Sequence, residues 1–493
     1  MPLYPRTLQE QFTVDDLVGQ FVIARDAARV PERWSQRALG RWTLAAHPAL
    51  PAFDIRDGER TVGWLLGYAI GPDGEMVLGE VTLPPRGAGI TAADAFLLFV
   101  ESFAGRFIAV LLGGDAERVY LDPTGSLSAV YCPSQEMVAA TPSLVPYTDE
   151  TRDNDALIEG MAILERNGFY PFGLTPRHGI ERLLPNHYLD LRTWRAHRFW
   201  PRGDFAITSD VPGTVERMAH ATRRNIEAVA RRYPLWLSLT AGMDSRMLVA
   251  CARRVLDRVE FFTFSLDDHA ARVDCDIAQR LAARFELRHR VLPFVPPHER
   301  DSDLWLFRTG GCVAERRGRE VVRTYRQLDP ERAETPGMVG ELGRHACFSE
   351  ARPFPAIHSG EQVLAIAKLA APPQACERGD QWLADLPVRD RASILAVIYI
   401  ELRLAAWGGL LPYADPVSTR FRLYPLCERR IVEWMASLPP DYRERQQLGP
   451  DLIRVFWPEL AEIPFNRYVG WKHFERSVKF NIWRWRRRLG LGG

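Results

Sequence analysis

Residues 235–249 read LWLSLTAGMDSRMLV. An apolar run leads into a small-residue turn, Thr240-Ala241-Gly242, and then into a helix start. A strand that ends in a Gly-containing turn and opens a helix aims backbone N–H groups and the positive end of a helix dipole at one point. That arrangement binds anions. Leu239 and Met243 frame the turn, and Thr240 and Ser245 add hydroxyl donors. Asp244 brings a carboxylate to the position where a Mg²⁺ accompanying phosphates needs an oxygen ligand. No Gly-Lys-Ser/Thr follows, so this is not the Walker P-loop. The bland alternative for Asp244 is a helix cap.

The pattern around this turn is periodic. Val215, Met218, Ile226 and Val229 share one helical face. Strand 236–239, helix 245–256, strand 259–265, helix 274–285 and strand 288–292 then alternate, which predicts a parallel sheet with right-handed crossovers. The turn thus falls at the carboxyl end of the first strand, where open α/β sheets bind ligands. The first 150 residues read differently. Strands are expected at 106–112 and 118–121, with a turn at Asp122-Pro123-Thr124-Gly125 before a further run at 129–131. Residues 168–200 read as a connecting hairpin region, and the last third from about residue 391 as mainly helical.

Bulk properties exclude several classes. A chain of 493 residues is long enough for two or three domains. Its net charge of +1 gives no global pull toward nucleic acid. Seven scattered cysteines without a Cys-x-x-Cys pair favour reduced thiols over a disulfide framework or zinc site. The N-terminus lacks an apolar signal core, and no uninterrupted run of about 18 apolar residues occurs. A cytoplasmic chain with no membrane span is expected.

Several motifs taken in order resemble the asparagine synthetase family over most of the chain. Gly105-Arg106-Phe107 and Leu121-Asp122-Pro123-Thr124-Gly125 resemble its N-terminal glutaminase-type sandwich. The segment GFYPFGLTPRHGIERLLPNHYL, from Gly168, resembles its Thr-x-x-x-Gly-Ile junction, with Phe199-Trp200 in the Tyr-Trp place. Thr240 to Ser245 resembles the Ser-Gly-Gly-x-Asp-Ser loop of ATP pyrophosphatases, and Phe262-Thr263-Phe264-Ser265 the strand that lines the adenine site. Asp274 with Ala278, then His289, and Tyr424-Pro425-Leu426-Cys427-Glu428 through Ser437-Leu438-Pro439 complete the series. The resemblance implies an α+β sandwich of the Ntn-hydrolase type over residues 1–205 and an α/β ATP-pyrophosphatase-type domain with a parallel sheet and helical extension over 206–493. It implies ATP and Mg²⁺ as cofactors. Nucleotide contacts fall on Leu239, Thr240, Ala241, Gly242, Met243, Asp244, Ser245, Thr263, Phe264 and Ser265.

Departures from the family pattern carry as much information. Glutamine-hydrolysing members use an N-terminal cysteine whose α-amine is the base. Here residue 2 is Pro2 and the earliest cysteine is Cys132. A sandwich without that thiol resembles β-lactam synthetases, carbapenam synthetases and lasso-peptide cyclases, which activate a carboxylate with ATP and let an amine attack it. The family's acidic metal segment corresponds to Gly340-Glu341-Leu342-Gly343-Arg344. Glu341 is the expected second metal ligand beside Asp244. Arg344 either binds phosphate directly through its planar fork or marks a degenerate site. In the lactam-forming relatives a glutamate paired with a tyrosine is the base, and a lysine near the C-terminus steadies the closing step. Glu401, in the apolar helix expected at 393–407, and Lys472 are the candidates. A structural ion pair is the alternative for Glu401, and Tyr399 is expected to face elsewhere on that helix.

The expected activity is an AMP-forming carbon–nitrogen ligase that closes a peptide macrolactam or a lactam in natural-product biosynthesis. The alternatives are an ammonia-dependent asparagine synthetase and a non-catalytic scaffold. The partner is a carboxylate and amine substrate, such as a precursor peptide. The basic-aromatic tail Trp483-Arg484-Trp485-Arg486-Arg487-Arg488 offers a grip for a partner protein or is a solvated helix end. Nucleic acid is not an expected partner. Because Pro2 stands where glutamine hydrolysis needs a thiol, the pure protein should release no glutamate from glutamine above background. Turnover that survives repurification would return the chain to the amidotransferases.

Overall fold

The computed structural model describes residues 5–85, 87, 89–113, 116–344 and 356–466. Two largely antiparallel sheets occupy the N-terminal part. One has six strands and one seven, and a four-stranded parallel sheet follows in the C-terminal part. The strand Ala104–Gly113 shows why the seven-stranded sheet reads as apolar almost without interruption. Its Ile108 and Val110 enter the main core, which also takes in Phe21 to Ala24 of the six-stranded sheet. Its Phe107, Ala109 and Leu111 enter a second core on the opposite face, under Phe96, Phe99 and Val100 of the helix Ala92–Glu101. Alternate side chains point to opposite faces, and both faces are covered, so nearly every position is buried.

The region expected as a connecting hairpin contains one, and it also belongs to both sheets. Glu181–Arg182 pairs with Val130 and Tyr131 at the edge of the six-stranded sheet. His187–Asp190 and Arg195–Arg198 form a hairpin that extends the seven-stranded sheet beside Ala116–Leu121. The reason is backbone satisfaction. This stretch covers sheet edges whose N–H and C=O groups otherwise lack partners.

The parallel sheet has the spatial order His289–Pro293, Val259–Ser265, Leu235–Ser238, Ala333–Glu334. The helices Val211–Arg232, Met243–Cys251 and His269–Phe285 precede or join these strands. The helix after the turn is shorter than its apolar pattern suggests. It ends at Cys251, and Arg253–Arg258 continues as a tighter 3-10 turn with a kink at Val255. Because the fourth strand lies on the other side of the first, the strand order reverses there. This is the point at which an open α/β sheet leaves a crevice at its carboxyl edge.

The long apolar helical run Arg391–Ala414 is, by length and composition, the one described helix able to cross a membrane, but 83% of its most apolar window is buried inside the protein. It begins as the α-helix Arg391–Val397 and widens into a π-helix over Ile398–Gly408. The six described cysteines are unpaired with one another.

N- and C-terminal parts are stitched together through Asp122. Its carboxylate is fully buried and accepts from the amides of Thr124, Ser126 and Leu127 at 3.1, 2.9 and 3.1 Å, from the Ser126 hydroxyl at 2.9 Å and from the Cys427 thiol at 3.1 Å. Next to it the Gly105 amide donates to the Cys427 carbonyl at 2.8 Å. Burial and the Asp122 charge hold the Cys427 thiol well above its ordinary range. A carboxylate taken from so many buried donors leaves them all unsatisfied, at about 1–3 kcal/mol each. Asp122→Ala should therefore lose at least about 3 kcal/mol in denaturant unfolding, and an unchanged midpoint would show that the turn is held by other means.

Candidate functional site

Leu237 and Ser238 pair with Phe261 and Phe262, and the Leu239 amide continues the ladder to the Phe262 carbonyl at 2.9 Å. Beyond it the turn closes on itself. The Thr240 and Ser245 hydroxyls lie 2.8 Å apart, the Thr240 amide donates to Ser245 Oγ at 3.2 Å, and the Gly242 amide donates to Thr240 Oγ1 at 3.1 Å. The Ala241 amide donates to Asp274 Oδ1 at 2.8 Å. Burial raises the Asp274 carboxyl above its ordinary range, an effect this hydrogen bond partly offsets. The Thr240, Ala241 and Gly242 amides and both hydroxyls thus take part in the loop's own bracing. What remains open is the start of the helix Met243–Cys251, whose cap residue Gly242 carries no side-chain oxygen.

Arg246 makes the second brace. It is fully buried, not the solvated charge its place on a helix suggests. Its guanidinium donates to the carbonyls of Ala241 at 3.2 Å, Leu460 at 3.3 Å, Pro464 at 2.7 Å and Ile463. The Asn466 amide adds a bond to the Ala241 carbonyl at 3.0 Å. Thr263 is bonded inward: its hydroxyl reaches the Leu239 carbonyl at 2.5 Å and His289 Nε2 at 2.8 Å. Phe264 packs edge-on against Tyr325, and Ser265 is exposed at the strand's end.

The segment after the fourth strand comes back over the helix start, as the strand reversal requires. Gly337 and Gly340 let it approach. A Cβ on Gly337 would sit 3.0 Å from Asp244 Cβ, and one on Gly340 would sit 2.9 Å from Asp244 Oδ1. The approach delivers Arg344 to Asp244. Arg344 Nε donates to Oδ1 at 3.0 Å and Nη2 to Oδ2 at 2.5 Å, while Glu341 Oε1 lies 3.7 Å from the same Nη2. Asp244 sits at the second helical position and is not the cap. Sequence reasoning brought Asp244, Gly340, Glu341 and Arg344 to one place, and the structure does so too.

It also adds Tyr399, whose hydroxyl donates to the Met338 carbonyl at 3.1 Å. Burial, then the Glu341 and Asp244 charges, push this phenol well above its ordinary range. The helical spacing had already placed Tyr399 and Glu401 on different faces, and it is Tyr399 that faces the loop's charges.

Mg²⁺ does not fit this donor set. It would use Asp244 and Glu341 together with phosphate oxygens. Arg344 Nη2 already stands between those two carboxylates, at the point where both would meet a cation. Among the described residues no group of three His, Cys, Asp or Glu side chains gathers to hold a metal.

Glu401 lies elsewhere. It is fully buried and its carboxylate takes both Arg198 nitrogens, at 2.5 and 2.9 Å, Asn186 Nδ2 at 3.2 Å and Trp382 Nε1 at 2.7 Å. These partners come from the hairpin, its approach and the helix Pro373–Ala384. The structural alternative therefore describes its place in the fold, and the catalytic expectation gains no neighbour from the loop. A groove of about 660 Å³, lined among others by His187, Trp194, Arg195, Arg378 and Trp382, opens beside this pair. Lys472 and the basic tail lie outside the described residues.

Neither the protein-family models nor the curated proteins compared with this chain give a match.

Burial pushes the Glu401 carboxyl upward, but Arg198, His187 and the Trp382 hydrogen bond together outweigh it and the net shift is below the ordinary value. A depressed carboxyl stabilises the fold above its unfolded-state pKa, and that contribution disappears as pH falls through the folded-state value. Glu401→Gln leaves Arg198 uncompensated and should cost about 3–5 kcal/mol in unfolding free energy near neutral pH. The difference from wild type should shrink in acid. A variant as stable as wild type would remove Glu401 from the scaffold and return it to catalysis.

Proposed function

We propose that this chain is an asparagine synthetase-like ligase whose loop at 240–245 takes the phosphates of ATP and whose product is an amide. The observation that carries the reading is the reversal of strand order between Leu235–Ser238 and Ala333–Glu334. An uncapped helix start and a paired cation meet there, on the two chain segments that leave adjacent strands at the reversal point. The sheet order and the two antiparallel sheets ahead of it are compatible with an ATP-pyrophosphatase-type domain behind an Ntn-hydrolase-like one, a fold-level analogy.

In this reading a substrate carboxylate oxygen attacks the α-phosphorus, and the bond to pyrophosphate breaks. An amine then attacks the acyl carbon, AMP leaves and the amine loses a proton. The helix start and Arg344 balance the charge that gathers on the departing pyrophosphate. Tyr399, protonated at neutral pH and adjacent to Asp244 and Glu341, replaces Glu401 as the side chain to test for the second step. A peptide or lactam precursor is the proposed substrate, and aspartate with ammonia the variant of it.

A second reading, a scaffold that kept the fold, draws on the same Arg344. A guanidinium locked on Asp244 also describes a site that no longer turns over. ATP–pyrophosphate exchange separates the readings. The full chain, offered aspartate and peptides with an acidic side chain and a free amine, should exchange label with one of them. Asp244→Asn should fall about a hundredfold, equivalent to about 2.7 kcal/mol, while its circular dichroism spectrum stays that of the folded wild type. Equal exchange in that variant would reduce Asp244 to a structural residue. A wild-type chain that neither exchanges nor binds ATP is a scaffold.

A further inference from the structure

The position of Arg344 has a meaning of its own for how phosphate charge is met. Guanidinium carries five N–H donors in a fixed plane. Asp244 takes one from Nε and one from Nη2, side-on. The Nη1 edge then points away from Asp244 with two donors, and Asp244 fixes the plane in which they lie. The Arg344 side chain is only 11% exposed, against 29% for Asp244 and 37% for Glu341. The cation is thus the inner member of the cluster and the carboxylates are the outer ones. A metal bridging Asp244 and Glu341 would have to displace it from partly buried surroundings, where an unpaired guanidinium is costly.

We propose that Arg344 stands in for the divalent cation at this loop, so that di- and triphosphate groups bind here without Mg²⁺. This rests on the reading of the loop as a phosphate site. Asp244 is then a positioning residue that holds the guanidinium, and Glu341 keeps a second negative charge on its outer side. An arginine fork suits phosphate oxygens as well as it suits a carboxylate, and unlike a metal it needs no dehydration before it binds.

The test is calorimetric titration of the full chain with inorganic pyrophosphate and with ATP. Each is run in EDTA and again in excess Mg²⁺. The proposal expects dissociation constants in EDTA equal to or tighter than those in Mg²⁺, within about threefold. It expects Arg344→Gln to weaken pyrophosphate binding in EDTA by tenfold or more, with Arg344→Lys recovering part of the loss because it keeps the charge and loses the fork. Binding that needs Mg²⁺, or weakens tenfold or more in EDTA, overturns the proposal and leaves the phosphate reading standing. Absence of binding by either probe in both buffers overturns the phosphate reading itself. Should Arg344→Gln fail to fold, as circular dichroism and thermal melting would show, the wild-type comparison between the two buffers still decides.

Discussion

The short strand Leu235–Ser238 has a parallel neighbour on each side, and its own carboxyl end is where the chain's polar chemistry collects. Helix Met243–Cys251 leaves from that end in one direction. The 3-10 turn Met338–Gly343 and Arg344 follow the fourth strand on the other side of the reversal. Two glycines let the second segment settle on Asp244. Every other brace around the turn, from Asp274, Ser245 and Arg246, holds this meeting in place.

Buried charge does the remaining positioning. Glu401 with Arg198, Glu334 with Arg422 at 2.6 Å, and Arg429 with Glu101 at 3.0 Å each join distant segments. Glu334 belongs to the fourth strand itself, and burial opposes while Glu334 supports the charge on Arg422, whose pKa is raised on balance. Pairs of this kind add little stability relative to apolar packing, yet breaking one is expensive. They fix which segments touch, and they place the widened π-helical stretch that carries Tyr399 toward the loop and Glu401 toward the hairpin. Residues two apart lie on nearly opposite faces of a helix, so Tyr399 and Glu401 reach different neighbourhoods.

The sequence was a good guide where periodicity is local. The strands and helices between residues 211 and 293 follow the apolar spacing, because burial on one helical face or both sheet faces leaves a direct trace in the side-chain order. The hairpin expected within 168–200 is present, but its joining to both sheets was not legible. The strands of this region are two to four residues long, and apart from the hairpin pairing itself their partners lie far away in the chain. Arg246 shows the same limit. Nothing near it in sequence announces that three of its four acceptors are carbonyls more than 200 residues later.

From its sequence alone the chain declared a strand–turn–helix around 240–245, a parallel sheet around it and an antiparallel region before it. Those follow from spacing and residue type, which act over a few neighbours. Only the tertiary structure decided what the polar groups do. It turned the Thr240 and Ser245 hydroxyls toward each other, gave Asp244 an arginine instead of an open coordination sphere, and sent Glu401 into an ion pair with Arg198. Hydrogen bonds and ion pairs depend on distances of about 3 Å between atoms from remote segments, and a linear pattern of residue types does not encode those distances.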